Sequence, residues 1–500
     1  MDVAAFARLL AAGWTLVRAD ALLPREVDPA LPPGVRTLAR FLRLFAGRAA
    51  RQGRAGERLA RALERLGPVS IKLGQVLSTR ADIFGPRFAE DLSHLKDRLP
   101  PFPTAEARAE VERELGRPLE ALFPTFGEAV AAASLAQAHE AVMADGRRVA
   151  VKVLRPGVER RVAADSRTLL MAARLVEALV PPARRLEPAA FARTVIRALQ
   201  LELDMRFEAA GAAELAEIMG RDAYMRAPRV VWDGVARRVL TLEWAQGGAL
   251  SDPGTLEAPG LDRKALADNL IRAFLAQALD HGVFHADLHE GNLFVAAPAA
   301  ITAVDFGIVG RLGPAERRYL AEILYGFLTR DYARVARVHF EAGYVPARHD
   351  PEAFAQALRA VGEPIFGRAA SEVSMGRLLA QLFEITALFD MRLRPELVLL
   401  QKTMVTVEGV ARRLWPQHDI WAAADPVVRR WIFRELSPVQ RARELADEGL
   451  RALRALARLA EAEAGQTAVA APERAAPALA WFAAGAAVAG AAFLLAAWMR

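Results

Sequence analysis

His285-Ala286-Asp287-Leu288-His289-Glu290-Gly291-Asn292 sets a carboxylate five residues before an amide, and Asp305-Phe306-Gly307 follows that amide by 13 residues. An aspartate in the first position can orient or deprotonate a hydroxyl or a water. The amide carbonyl of Asn292 and the carboxylate of Asp305 are the hard oxygen donors that suit Mg²⁺. ITAV (301–304), just before Asp305, reads as a strand that delivers it at a turn. His281, His285 and His289 recur every four residues, as a helix would stack three imidazoles for zinc. Gly282 and the strand-like Val283-Phe284 interrupt any such helix, so the three share no face. His285 is expected to brace the loop through hydrogen bonds.

Upstream, residues 126–154 read as strand, tight loop, strand, turn at Ala144-Asp145-Gly146, and strand, the last being VAVKVL with Lys152. The tight loop is Ala131-Ala132-Ala133-Ser134. A second short stretch, Leu242-Glu243-Trp244-Ala245, ends a strand before the helical half begins. Strand lysine, Asp-x4-Asn and Asp-Phe-Gly in this order match the ATP site of a protein-kinase-like fold. Lys152 would hold α- and β-phosphates. The loop 131–134 would cover phosphates. The backbone of Glu243 and Ala245 would bind adenine, with Leu242 beside the base. Two features depart from an ordinary protein kinase. The loop carries alanines where glycines are usual, and a Cβ disfavours positive φ, so this loop should close differently. Between Asp305 and Pro314 there is no activation segment and no platform for a peptide.

The remaining chain fits around this core. Its 500 residues carry a formal charge of +7, 53% are hydrophobic and none is cysteine. That excludes disulfides, zinc–thiolate sites, iron–sulfur clusters and a thiol nucleophile. An aromatic content of 7% disfavours a nucleic-acid binder that stacks bases. Only Lys72, Lys96, Lys152, Lys264 and Lys402 are lysines, against 61 arginines, which makes each lysine worth tracing. Residues 1–23 read as an amphipathic helix, suited equally to a membrane surface or to ordinary packing. Residues 24–56 read as a connector, 57–82 as helix restarted at Gly67-Pro68, and 97–127 as containing a further helix. Helix is expected at 158–180 and 188–220, a strand pair at 229–232 and 238–244, and helix through 262–463 apart from a loop at 283–310. Residues 437–464 form an Arg-rich helix and 465–478 a linker. The charge-free stretch 475–499, with Trp481 and Trp498 near its ends, is long enough to cross a membrane. Arginines concentrate before it, so the body would stay in the cytoplasm, with a single-pass C-terminal anchor in the inner membrane. Small-residue pairs at Gly485–Ala489 and Ala486–Gly490 hint at a homodimer through this helix. The expected class is therefore α+β, a two-lobed protein-kinase-like fold with N-terminal helices and a C-terminal transmembrane helix. Its divisions fall at 1–56, 57–125, 126–245, 246–436, 437–474 and 475–499.

At this point a resemblance becomes specific. The chain resembles the UbiB/AarF family of atypical kinase-like proteins over about residues 25–415. It carries Lys72-Leu73-Gly74-Gln75 as KxGQ, the alanine loop, and Glu202-Leu203-Asp204 as ExD, besides the motifs above. Leu288 and Glu290 stand where many members have prolines, and Ala136 where many have glycine. The resemblance implies that the KxGQ helix folds over the place where a peptide would dock. It implies that Glu202 and Asp204 meet that helix, and that Glu208 pairs with Lys152. It further implies ATP and Mg²⁺ as cofactors, and a membrane-tethered ATPase or atypical kinase supporting ubiquinone biosynthesis. Its partners would be ATP/ADP, membrane lipids or polyprenylated quinone precursors, and other ubiquinone-biosynthesis proteins, with no nucleic acid. A small-molecule kinase of the aminoglycoside or choline type and a non-catalytic ATP-binding scaffold are the alternatives. The ring-hydroxylase label that members have sometimes carried finds no dinucleotide motif, cysteine or iron triad here.

Overall fold

The structure, a computed structural model, describes residues 3–435 apart from 27–32, 48–49, 51, 79–85, 94, 96–99, 180–183, 185–186, 364–384, 386–387 and 392–394. Residues 1–431 form one compact unit and 432–500 a second. The helices α1 (Val3–Arg18), α2 (Pro33–Arg43), α3 (Ala55–Leu66), α4 (Pro68–Ser78), α5 (Pro86–Ser93) and α6 (Thr104–Leu115) precede a four-stranded antiparallel sheet. Its strands are β1 (Thr125–Ala132), β2 (Ala136–Val142), β3 (Arg148–Leu154) and, after three helices, β4 (Val239–Glu243), in the spatial order 1-2-3-4.

Strand periodicity explains what each face of this sheet does. Val149, Val151 and Val153 alternate onto one face, where they are fully buried with Val111, Leu119, Phe123 and Phe126. Ala150 and Lys152 fall on the other face. The turn between β2 and β3 closes where expected: Gly146 sits at φ 86° and donates its N–H to Met143 O at 2.9 Å.

Between β3 and β4 lie α7 (Val158–Leu179), α8 (Pro188–Glu202) and α9 (Met205–Met219). The single helix expected over 188–220 is broken at Asp204, whose extended backbone (φ −128°, ψ 98°) starts α9 as its N-cap. The strand expected at 229–232 amounts to one bridge, Val230 to Leu242, before a tight turn at Trp232–Gly234.

After β5 (Gly248–Ala249), α10 (Arg263–Ala276) runs into a π-turn at Gln277–His281. The segment 283–310, expected as a loop region apart from a strand at ITAV, contains that strand as β8 (Ala300–Ala303), and besides it β6 (Val283–His285), β7 (Leu293–Ala296) and the start of β9 (Val309–Arg311). β6 pairs with β9, and β8 with β7, which also pairs with β5. Strands of three or four residues are too short to show a period of two. Helices α11 (Pro314–Leu328), α12 (Tyr332–Glu341), α13 (Pro351–Gly362), α14 (Pro395–Leu414) and α15 (Ile420–Glu435) follow. The connector 24–56 holds α2, which its prolines and arginines concealed. The segments expected as amphipathic helix, linker and membrane-crossing helix (437–499) lie outside the described residues. Among the described residues, no helix is long and apolar enough to cross a membrane.

Candidate functional site

Lys152 leaves the non-core face of β3 toward α9. Its ammonium donates to both Glu208 oxygens, at 2.7 and 3.0 Å, and to Asp305 Oδ1 at 3.3 Å. Burial lowers the Lys152 pKa, but Asp305 and Glu208 together outweigh it and hold the ammonium above its ordinary value. The same ammonium brings Asp305 down to about 2. Burial pushes Glu208 upward, with Lys152 opposing. Asp305 sits just beyond β8 at φ 63°, a left-handed conformation uncommon outside glycine and often found where a site dictates backbone shape. Its carboxylate is half exposed.

Asp287 precedes a 3₁₀ turn, Glu290–Asn292, that ends in Asn292 just before β7. Asn292 donates its side-chain N–H to the Asp287 carbonyl at 3.0 Å, which leaves the amide oxygen as the free end of that side chain. His285 is fully buried and organises this loop. Its Nδ1 accepts from the Asp287 backbone N–H at 3.1 Å, so Nε2 carries the proton it gives to Val304 O, also at 3.1 Å. Burial keeps its pKa below the ordinary value, so the ring is neutral. One imidazole thereby ties the Asp287 loop to the residue before Asp305. His281 and His289 lie on the π-turn and in the loop, away from a shared face. Thr403 Oγ1, on α14, donates to the Ala286 carbonyl at 3.1 Å and fixes that helix to the loop.

Lys72, on α4, pairs with Glu202 at the end of α8. Burial raises the Glu202 carboxyl, against the pull of Lys72; Asp305 and Lys152 also act on it, which places this pair next to the first cluster. On another side of α4, Gly74 permits close packing against Leu63 of α3 and Leu95, whose methyl groups a Cβ there would meet. Gln75 lies one turn beyond Lys72, half-buried. Asp204 is engaged elsewhere. It accepts from the Arg206 backbone N–H at 3.1 Å and pairs with the Arg206 guanidinium at 2.9 and 2.7 Å, so of the two ExD carboxylates only Glu202 meets the Lys72 helix.

The alanine loop closes with no positive φ at 131–135. Ala133 N–H bonds Ala136 O, and Arg155 N–H bonds Leu135 O, both at 2.8 Å. Ala131 is exposed, Ala132 and Ala133 are half-buried, and Ser134 is buried. At the other end of the sheet, the Glu243 N–H is taken by Arg229 O at 2.9 Å, so its carbonyl is the group left for a ligand. Leu242 is buried and Ala245 half-buried beside it.

Lys402 is the residue that motif reading passed over. It stands on α14, one position before Thr403, and no hydrogen bond reaches its ammonium among the described residues. Burial lowers its pKa; Asp287 opposes this and Lys72 adds to it. Its only sequence signal was the rarity of lysine.

These residues fit the cofactors that a kinase-like site implies. Among the described residues no group of three or more His, Cys, Asp or Glu could hold a metal alone. Asn292 and Asp305 offer two oxygens, as for a Mg²⁺ whose other ligands are phosphates and waters.

Residues 94–339 match the ABC1 atypical kinase-like domain, and residues 358–419 the UbiB helical domain. The chain is 39% identical over 388 residues to the "Probable protein kinase UbiB" of Marinobacter nauticus, covering 77% of this chain and 71% of that one. It is 40% identical over 390 residues to the protein of that name from Pseudomonas paraeruginosa, covering 77% and 73%. Among solved structures, the erythromycin complex of a Mycobacterium tuberculosis protein superposes with a TM-score of 0.54 at 22% identity, covering 79% of this chain and 98% of that one, a likeness of fold. With both family domains in one chain and relatives of about 40% identity along most of its length, this protein belongs to the UbiB family of ABC1-type atypical kinase-like proteins.

Proposed function

We propose that the protein is a membrane-associated, Mg²⁺-dependent ATPase-like enzyme that supports ubiquinone biosynthesis by handling lipidic quinone precursors. The observation that carries this is the joined arrangement of Lys152 between Glu208 and Asp305, with Lys72–Glu202 alongside. Lys152, held by Glu208, binds phosphate oxygens. The 131–134 loop covers them, and the Glu243 carbonyl and Ala245 N–H hold adenine against Leu242. Asn292 and Asp305 would hold Mg²⁺, which when bound neutralises charge on the phosphates. Asp287 orients the attacking water or hydroxyl and accepts its proton. Lys72 and Gln75 line the cover over the acceptor side. Helix α11 begins at Pro314, directly after this segment, so no peptide platform follows Asp305. The apolar stretch 475–499 supplies a membrane anchor with the body on its arginine-rich side.

The test is γ-phosphate release by the purified full-length chain with Mg²⁺–ATP, with and without vesicles carrying a polyprenylated phenol. Release stimulated by lipid and lost in Asp305→Asn supports the reading. Nucleotide binding without turnover on the vesicles overturns it in favour of a scaffold. Transfer to a soluble alcohol overturns it in favour of a small-molecule kinase.

A further inference from the structure

We propose that the joined outer faces of α1 and α2 dock on the headgroup region of a bilayer containing anionic lipid. This rests on the membrane-associated reading above and assigns it a surface.

Helix α1 packs one face on α7 and α3. Ala5 and Val17 are buried there, and Arg8 reaches Asp165 at 3.3 Å. Its other face exposes Phe6, Leu10 and Trp14, spaced by four residues. α2 and the turn after it expose Leu38 (52%), Phe41 (56%), Leu44 (77%) and Phe45. The two sets are continuous: Trp14 and Phe45 rings lie 5.6 Å apart, as do Phe41 and Phe45. Lone exposed apolar residues need no explanation, but a contiguous patch with two aromatic rings packed on a third marks a docking site.

The charges select the occupant. Residues 3–18 and 33–47 contain Arg8, Arg18, Arg36, Arg40 and Arg43 and no carboxylate. Asp20, between the helices, is buried and engaged by Arg43 at 3.2 Å and Arg58 at 3.3 Å. Arg18 and Arg40 are exposed and meet no carboxylate among the described residues. An apolar face edged by unpaired arginines and carrying a tryptophan is the pattern of a helix that lies in the plane of an anionic interface. An apolar protein groove would leave those guanidiniums unmatched.

The experiment is backbone hydrogen exchange of the full-length chain. It is run free, on phosphatidylcholine vesicles, and on phosphatidylcholine vesicles mixed with phosphatidylglycerol. Exchange in residues 3–47 should slow about tenfold on the anionic vesicles alone, and the slowing should vanish in Leu10→Glu/Phe41→Glu. Both positions are exposed, so the fold tolerates the change. Unchanged exchange at 3–47 while the chain rides the vesicles overturns this surface and leaves the anchor standing. A chain that stays in solution overturns both readings. Equal protection without vesicles overturns the proposal: if concentration-dependent the face meets a second copy, and otherwise a segment of its own chain.

Discussion

Three of the five lysines in a chain with 61 arginines converge on one site: Lys72, Lys152 and Lys402. A compact ammonium fits between two carboxylates where a planar guanidinium fork does not, and that separates the roles by mutation. Lys152→Ala removes the counter-charge of Asp305 and Glu208 together, and all turnover should disappear with nucleotide affinity. Lys72→Ala leaves the half-buried Glu202 without its ammonium, and if the Lys72 helix covers the acceptor side, as proposed, that cover should loosen. The expected outcome is more autophosphorylation and less function, read by γ-phosphate labelling beside growth complementation. If both variants simply lose nucleotide binding, Lys72 is a phosphate ligand and there is no cover. Lys402 has the opposite energetic sign. Its pKa is depressed in the folded chain, so the unfolded chain holds the proton more tightly and, at neutral pH, the charge destabilises the fold. Lys402→Met should raise the melting temperature and lower phosphate release, a trade expected of a strained functional group. A lower melting temperature would show that Lys402 packs rather than acts.

At the scale of elements, the sheet and its loop are legible in the sequence because VAVKVL alternates and Ala-Asp-Gly permits a positive φ at one defined place. The helical break at Asp204 was also written in the chain, since Asp is a strong N-cap, but the apolar pattern on either side runs through it. Asp204→Ala should cost about 1 kcal/mol by losing that cap. Asp204→Ser, which can cap, should restore most of it in chemical unfolding, whereas a role on the Lys72 helix would leave Ser as poor as Ala. What the sequence could not display were contacts between distant segments: His285 to Val304, Thr403 to Ala286, Lys402 beside Asp287. No local pattern encodes them. The same holds for His139 in β2, fully buried, stacked on Phe126 at 4.6 Å and bonded to Gly127 O and Gln137. Burial lowers its pKa, as it does for His285, His339 and His418. A depressed histidine stabilises above the unfolded value of about 6.5, and that contribution is lost as pH falls through it. The melting temperature should therefore drop from pH 7.5 toward 5.5, and His139→Gln should flatten the drop by one histidine's share. A slope unchanged in that variant would mean that His139 takes up its proton equally in the folded and the unfolded chain.

For the whole molecule, two kinds of membrane contact are distinguishable by their physics. A charge-free stretch of 25 residues, 475–499, would insert by apolar transfer alone, which is insensitive to salt and to lipid charge. The α1–α2 face combines apolar burial with arginine attraction, which weakens as salt screens it. Residues 1–431 are compact by themselves, so removing 475–500 should leave the kinase-like body folded. The truncated chain is then expected to float with anionic vesicles at low salt, to leave them as salt rises, and to ignore neutral ones. The full chain should float with both at either salt. Adding Leu10→Glu/Phe41→Glu to the truncated chain should abolish flotation and leave its melting temperature and nucleotide binding intact, because both side chains are exposed to solvent. Flotation of the truncated double variant equal to its parent would place the second contact elsewhere on the body. Loss of flotation from the truncated chain under every lipid condition would leave 475–499 as the sole attachment.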